Sequence, residues 1–521
     1  MTTAGSGTLV SRSPFGDAHT VDLDPAGEQA RLEAFVARYA GSETTVVAVQ
    51  GLGFVGAGMA AALAEARTPS GAPRFAVIGV DLPDEANYWK IARVRDGQPP
   101  VRCDDARMRQ AYQRAAERGN LTATFSERAY AGADVVVVDV NLDIVKPASG
   151  TGAPRFSYDP FLAAVGTVAR VIAPETLVVI ETTVPPGTTA KVVRPLFART
   201  FEERRIDPAR LRLAHSYERV MPGPGYLASI TDFYRVYAGI DGPSSRRARA
   251  FFESFINTAE FPLSELASPT ASEMAKVLEN AFRATNIAFM QEWTEFAEAA
   301  GVDLFSVIGA IRARPTHRNI MAPGFGVGGY CLPKDPLLAD WALQTHFGGA
   351  RRLDMSLEAV RVNDRMPEHT FALLRRAVGS LRGHRVALLG VSYLEGVADT
   401  RSSPAAVFYD RCREAGAVVS LHDPMLEFWP ERQVPVHRRL DALAGQTHDT
   451  VVFAVRHPVY LELTADAIVD AVPEVGQVID ANNIVTDQLA DALAARGIRV
   501  FGVGKGHWTG RDRPERSTDE V

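Results

Sequence analysis

Short β-branched runs alternate with longer helical stretches along most of this chain. TTVVAVQ at 44–50, RFAVIGVD at 74–81, ADVVVVDV at 133–140, ETLVVIETT at 175–183 and LRLAHS at 211–216 read as buried strands. Helical segments separate them, and that alternation means βαβ units and a parallel sheet. The alternation breaks at 268–300, where one continuous helix is expected. Ser268 stands as its cap, Pro269 at its first position and Gly301 as its stop. Met274, Val277, Leu278, Ala281, Phe282, Ile287, Ala288 and Trp293 recur along it at helical spacing. A helix this long exceeds an ordinary crossover. It is expected to be a spine between domains and a candidate dimer surface. From about Leu381 the alternation resumes with RVALLGV, AVVSLHD, DTVVFAV, QVIDA and RVFGVG.

The fold class is therefore α/β, with two Rossmann-like doubly wound domains joined by a long central helix. The expected boundaries are an N-terminal extension at 1–43, a cofactor-binding domain at 44–242 and a central helical region at 243–370. A C-terminal α/β domain follows at 371–510, then a polar tail at 511–521. Residues 1–23 read as a mobile tail. Residues 24–40 read as a helix with Asp24 as cap and Pro25 in its first turn.

Length supports this division, because 521 residues exceed one core. The net charge of -6 supplies no global basic field, so nucleic acid is not an expected partner. No apolar run approaches the length of a membrane span, and no signal peptide is expected. Three scattered cysteines, Cys103, Cys331 and Cys412, argue against a disulfide framework and a structural zinc site. Metal is not expected, and a reducing cytoplasm fits best.

Gly51-Leu52-Gly53-Phe54-Val55-Gly56 directly follows the first strand and opens an alanine-rich helix. Gly51 permits the tight turn, Gly53 the approach of a pyrophosphate, and Gly56 close helix packing. Asp81 ends the second strand, where its carboxylate suits the ribose hydroxyls of NAD and opposes the extra phosphate of NADP. The plainer alternative is a glycine turn beside a solvent-facing Asp81.

A second informative stretch, PGFGVGGYCLPKDP at 323–336, sets four glycines before Cys331 and places Asp335 four residues beyond it. Such a loop lets substrate lie against the backbone while a thiol is presented. The alternative is a buried cysteine after a flexible loop. On the spine, Glu273, Lys276 and Asn280 share one face. An ammonium and an amide there suit a developing oxyanion. Taken by itself, the stripe equally reads as a solvated face with a Glu273–Lys276 pair.

Together these residues resemble the UDP-glucose/GDP-mannose dehydrogenase family over about residues 44–510. Further matching pieces are ETTVPPGTT at 181–189, SYERVMPG at 216–223, RVNDRMP at 361–367, DTRSSP at 399–404, HDP at 422–424 and VIDANN at 478–483. The resemblance implies an NAD-dependent, four-electron oxidation of the C6 hydroxyl of a nucleotide sugar to the acid. It implies Cys331 as nucleophile, with Lys276 and Asn280 steadying oxyanions. Asp335 would move protons through a water also held by Thr183, and Glu218 would assist thioester hydrolysis. Phe54, Val55 and Thr183 join the cofactor set. Arg219, Arg283, Phe325, Gly328 and Lys334 join Glu218, Lys276 and Asn280 in the substrate set. Arg401 is implied at both cofactor and substrate, reaching a neighbouring subunit's site. A homodimer or larger even oligomer is expected.

The motifs ERVMPG at 218–223 and KVLENAFRATNIA at 276–288 favour the UDP-N-acetylhexosamine branch, with Pro222 standing where the UDP-glucose branch usually has a second glutamate. Tyr330 stands where that hexosamine branch usually has His, and Lys334-Asp335 follows the UDP-glucose style. Two departures are Leu394, where the family usually carries lysine, and Asn141-Leu142-Asp143, where it usually has Pro-Thr-Pro. Two other readings are a two-electron β-hydroxyacid-type dehydrogenase, which needs neither Cys331 nor a second α/β domain, and a non-catalytic NAD-binding protein.

Overall fold

The computed structural model describes residues 9–103, 105–142, 144–145, 155–221 and 223–508. Pro222, Asp143 and the 511–521 tail lie outside the described residues. Two compact units emerge. One runs to Val277 and includes Trp341–Ala350; the other comprises Leu278–Asp340 and the chain from Arg351 onward.

The first unit is built on an eight-stranded sheet. Its strands are β1 (Thr45–Gln50), β2 (Phe75–Val80), β3 (Leu121–Thr124), β4 (Val135–Val138), β5 (Leu177–Ile180), β6 (Arg212–Tyr217), β7 (Val236–Gly239) and β8 (Ser264–Glu265), in the order β8-β7-β6-β5-β4-β1-β2-β3. Pairings from β3 to β6 are parallel, as the β-branched runs predict. β7 runs antiparallel to β6, which the alternation alone does not predict. The chain leaves β1 for β2 and β3 on one side, then returns to β4 on the other. That reversal opens a crevice at the carboxyl ends of β1 and β4, where an α/β sheet binds its ligand.

The N-terminal segment differs from a mobile tail. Val10–Arg12 and Ala18–Thr20 pair as a hairpin. It is tied to helix α3 (Tyr88–Arg95), with helices α1 (Pro25–Ala37) and α2 (Phe54–Glu65) preceding α3 in the chain. The buried Ser11 hydroxyl donates to the Glu85 carbonyl and accepts from the Trp89 amide, and Asp17 pairs with Arg93. Polar composition suggests disorder only when no partner satisfies it; here α3 supplies the partners. Helix α1 starts as its cap predicts, with Asp24 accepting from the amides of Ala26 and Gly27.

The second unit carries a five-stranded, all-parallel sheet: β9 (Arg385–Leu389), β10 (Val418–His422), β11 (Thr450–Phe453), β12 (Gln477–Asp480) and β13 (Arg499–Gly502), in the order β10-β9-β11-β12-β13. Its crevice falls between β9 and β11 by the same argument. The spine is α4 (Pro269–Ala300), with the Ser268 hydroxyl accepting from the Ala271 amide. Its apolar residues divide into two sets. Val277, Ala281, Ala284 and Ala288 are buried, whereas Met274, Leu278, Phe282 and Trp293 are about half exposed. No helix among the described residues is long and apolar enough to cross a membrane.

Candidate active site

In the first unit, the loop between β1 and α2 forms a cradle. Gly51 has φ +93, a conformation that side chains rarely adopt, and a Cβ there would stand 2.6 Å from the Asp139 carbonyl oxygen. A Cβ on Gly56 would stand 1.9 Å from the Gly51 carbonyl oxygen. Gly53 is the reverse case, because a Cβ there would meet nothing and only fill the open cradle. Gly53 also caps α2 without a side-chain hydrogen bond, so no side chain of the cap occupies the start of this helix, where an anion is favoured. The residues present fit the pyrophosphate of a dinucleotide.

Asp81 follows β2 and is not simply solvent-facing. Its Oδ2 accepts from the Leu52 amide at 3.0 Å and lies 3.2 Å from Lys90 Nζ, while its Oδ1 accepts from the Leu82 amide at 2.8 Å. These contacts hold the carboxylate in one orientation beside the turn. Lys90 is a partner that sequence reading missed, because only the fold brings α3 against the end of β2.

Three carboxyls stand at the ends of adjacent strands: Asp139 after β4, Glu181 after β5 and Glu218 after β6. Glu181 forms a buried ion pair with Arg235. Glu218 lies 3.7 Å from Lys276 Nζ, which donates to the Glu218 carbonyl at 2.9 Å. Arg219 donates to the Tyr234 carbonyl at 2.8 Å and to the Tyr217 hydroxyl at 3.1 Å. Thr183 follows β5 and is partly exposed. Arg235 and Asp139 were not singled out from the sequence, although an aspartate closing the apolar run VVVV was a visible signal.

Glu273 is placed differently from an ion pair with Lys276. Its carboxyl accepts from the amides of Gly187 at 2.6 Å and Thr189 at 2.7 Å. Burial pushes it up to about 7, against those two donors, which favour the charged form.

In the second unit, Cys331 is exposed, and its carbonyl accepts from the amides of Lys334 and Asp335 at the start of α5 (Asp335–Phe347). Asp335 is fully buried. Its Oδ2 accepts from the Asn280 side-chain amide at 2.6 Å, and its Oδ1 lies 3.3 Å from Lys334 Nζ. Lys334 Nζ also stands 4.7 Å from the centre of the Tyr330 ring, and the Arg401 guanidinium 6.0 Å from it. Arg401 is itself paired with Asp399 at 2.6 Å. Arg283 is exposed.

The loop glycines serve packing more than substrate approach. A Cβ on Gly324 would stand 2.6 Å from Asn482 Oδ1, and one on Gly326 the same distance from Pro404 Cβ. On Gly328 it would meet Tyr393 and Pro404 at 2.8 Å, and on Gly329 Tyr393 at 2.7 Å. Phe325 is buried with its ring 5.7 Å from that of Phe408, so its side chain belongs to the core of this unit. The DTRSSP and VIDANN segments thus hold the cysteine loop in place. The other cysteines differ in kind. Cys412 is buried, and burial pushes its thiol up to about 12, whereas Cys103 packs against the first unit's core.

Comparison with known proteins gives three consecutive matches to sequence models of the UDP-glucose/GDP-mannose dehydrogenase family. The NAD binding domain matches residues 45–256, the central domain 270–365 and the UDP binding domain 387–487. A UDP-N-acetyl-D-mannosamine dehydrogenase of Pyrococcus horikoshii is 30% identical over 469 residues, covering 88% of this chain and 99% of that protein. The solved structure of a UDP-D-ManNAc dehydrogenase from the same organism superposes with TM-score 0.74 at 27% identity, covering 89% of this chain and 100% of that one. The crystal structure of an NDP-N-acetyl-D-galactosaminuronic acid dehydrogenase from Methanosarcina mazei Go1 also gives TM-score 0.74, at 25% identity, covering 92% and 98%.

Proposed function

Because the chain belongs to the UDP-glucose/GDP-mannose dehydrogenase family, we propose that it oxidises the C6 alcohol of a UDP-N-acetylhexosamine to the carboxylate. It is an NAD-dependent nucleotide-sugar dehydrogenase. The choice of an N-acetylhexosamine is supported by the N-acetylmannosamine and N-acetylgalactosaminuronic acid relatives. The observation that carries the covalent route is Cys331, exposed ahead of the helix whose first residue, Asp335, is buried and bonded to Asn280.

When bound, NAD would supply the acceptor for two electrons and the C6 hydrogen in each of two rounds. Gly51, Gly53 and Gly56 with the start of α2 would hold its pyrophosphate, and Asp81 its ribose. In the first round C6 becomes an aldehyde. An aldehyde cannot be oxidised again until a nucleophile makes C6 tetrahedral, and the Cys331 thiolate is that nucleophile. Lys276 and Asn280 donate to the oxygen as it gains charge. Loss of the second C6 hydrogen leaves a thioester on Cys331. Asp335, with Thr183, moves the protons, and Glu218 assists water in hydrolysing the thioester. The two-electron reading has no use for an exposed cysteine in this loop.

Residues 44–242 are assigned to the cofactor, 243–370 to the central active-site and dimerisation region, and 371–510 to the nucleotide of the substrate. Residues 1–43 are an extension and 511–521 a tail. Arg219, Arg283, Lys334, Arg401 and the 325–328 backbone complete the substrate set, with Arg401 also serving a neighbouring copy in a homodimer or larger even oligomer. The cytoplasm is the proposed compartment, supported by three cysteines that form no disulfide.

A panel of nucleotide sugars with NAD tests the reading. The expected result is two NADH per product and a product carrying one more oxygen and two fewer hydrogens, formed fastest from a UDP-N-acetylhexosamine. One NADH per product and a ketone or aldehyde product would overturn it.

A further inference from the structure

Asp139 directly follows β4, at the crevice where the order of the first sheet reverses. It is the floor beneath the dinucleotide turn. Its carbonyl oxygen is the atom that a Cβ on Gly51 would strike, and its own Cβ would lie 3.3 Å from a Cβ on Gly56. Its side chain is buried, and neither carboxyl oxygen accepts a hydrogen bond from a donor among the described groups. The carboxyl beside it is that of Glu181, which closes the neighbouring strand β5 in register with β4, is itself buried, and leaves its Oε2 without a hydrogen-bond partner among the described groups. Two buried carboxyls side by side hold a proton between them, because both cannot stay charged in one low-dielectric space.

The surrounding charges decide which one keeps it. The charged groups acting most strongly on Asp139 are Glu181 after β5, Glu218 after β6 and Arg235 before β7, with Lys276 against Glu218. Glu181 has Arg235 as its ion-pair partner, and Glu218 has Lys276. Three acids thus face two cations, and the set is neutral only if one acid is protonated. Asp139 is the acid with no cation against it. Burial, reinforced by Glu181 and Glu218, raises its affinity for a proton well above that of an ordinary carboxyl.

We propose that Asp139 is a cofactor-positioning residue that works as a neutral carboxylic acid, donating its proton to Glu181 and keeping negative charge out of the floor of the pyrophosphate site. Ionised Asp139 would put an uncompensated charge under the turn that receives the cofactor's phosphates. NAD binding therefore favours the protonated form, and affinity falls as pH rises through the titration of Asp139. One proton limits the fall to about tenfold per pH unit. The inference rests on NAD binding at this turn and not on the sugar substrate or on Cys331.

The test is calorimetry of NAD binding to the full-length protein, without nucleotide sugar, from about pH 6 to about pH 10. Wild type is expected to lose affinity at the alkaline end. Asp139→Asn, which keeps a neutral donor of the same shape, is expected to bind like wild type at neutral pH and to lose that dependence. Infrared difference spectra supply a readout that a merely structural role would not move. The carbonyl band of a protonated carboxylic acid, present in wild type at neutral pH, is expected to vanish in Asp139→Asn. A flat affinity profile in wild type, the same slope in Asp139→Asn, or a carboxylic acid band untouched by the substitution would each overturn the proposal.

Discussion

The side-chain amide of Asn280 donates to the carboxylate of Asp335 at 2.6 Å, and both residues are buried. One belongs to the long spine helix and the other opens the helix that follows the cysteine loop. Their bond ties the proposed oxyanion donor to the proposed proton carrier, so neither can move independently. Asn280→Ala leaves a buried carboxylate without its neutral donor, an expected cost of about 1.5–3 kcal/mol for a hydrogen bond to a charged group. Turnover is expected to drop at least about tenfold, because the oxyanion contact and the position of Asp335 are lost together. Thermal denaturation and steady-state kinetics on the same preparation check both halves.

Cys331→Ser keeps the loop's shape but supplies a far weaker nucleophile. Acid formation is expected to collapse by orders of magnitude while NAD affinity stays near that of wild type. Cys412→Ala is expected to leave turnover largely intact, since a buried thiol pushed up to about 12 supplies no thiolate at neutral pH. Cys331→Ala making acid at the wild-type rate would remove the covalent route.

Asp81 should give a strong preference for NAD over NADP. Its carboxylate is fixed by the Leu52 amide and Lys90, and it faces a 2′-phosphate with like charge. Asp81→Asn leaves Lys90 Nζ to meet that phosphate, so the preference is expected to narrow by about tenfold or more. The ratio of kcat/KM for the two cofactors, in wild type and variant, is the measurement.

Glu273 makes stability depend on pH. Burial raises its pKa from 4.5 to about 7, so the folded state holds a proton that the unfolded state releases between those values. Its contribution is fully present below about pH 4.5 and is lost as pH rises towards 7, by about 3 kcal/mol at most. Glu273→Gln should remove this decline. Denaturant midpoints of wild type and variant, compared across that window, should converge or diverge accordingly; parallel profiles would count against it.

Leu278 and Phe296 on the spine are each 63% exposed, and Phe282, Phe289 and Trp293 about half exposed. So much apolar surface on one helix is the reason to expect association between copies. Light scattering should report a dimer or larger even assembly, and Phe282→Glu with Phe296→Glu should weaken it. A fully active monomer would remove both the spine interface and the cross-subunit role of Arg401.

Much of the cofactor site was legible because its rules are local. Gly51, Gly53 and Gly56 sit within six residues of one another, between a strand and a helix; Gly51 and Gly56 answer to steric demands of that turn, and Gly53 leaves the cradle open. Asp81 was legible for the same reason, as the residue ending the next strand. Cys331 stood out against its glycines, although the packing those glycines serve was not visible. Their neighbours Tyr393, Pro404 and Asn482 are remote in the chain, and no local pattern names them.

The sequence by itself determined the alternating strands and helices and the capped spine at 269–300, and it singled out Cys331, Lys276, Asn280 and Asp335 as candidates for the chemistry. Spacing along a helix or strand says which residues share a face, since that follows from backbone geometry alone. What stands opposite that face follows from the order in which distant strands pair. Only the tertiary structure therefore gave Glu273 the amides of Gly187 and Thr189 in place of Lys276. It also brought Lys90 to Asp81 and drew the polar hairpin at Val10–Thr20 out of solvent onto α3. The row Asp139, Glu181 and Glu218 arises in the same way, from three strand ends separated by long crossovers. Burial then changed what Asp139 and Glu181 are, because a charge that costs little in water must be paired or neutralised inside the fold.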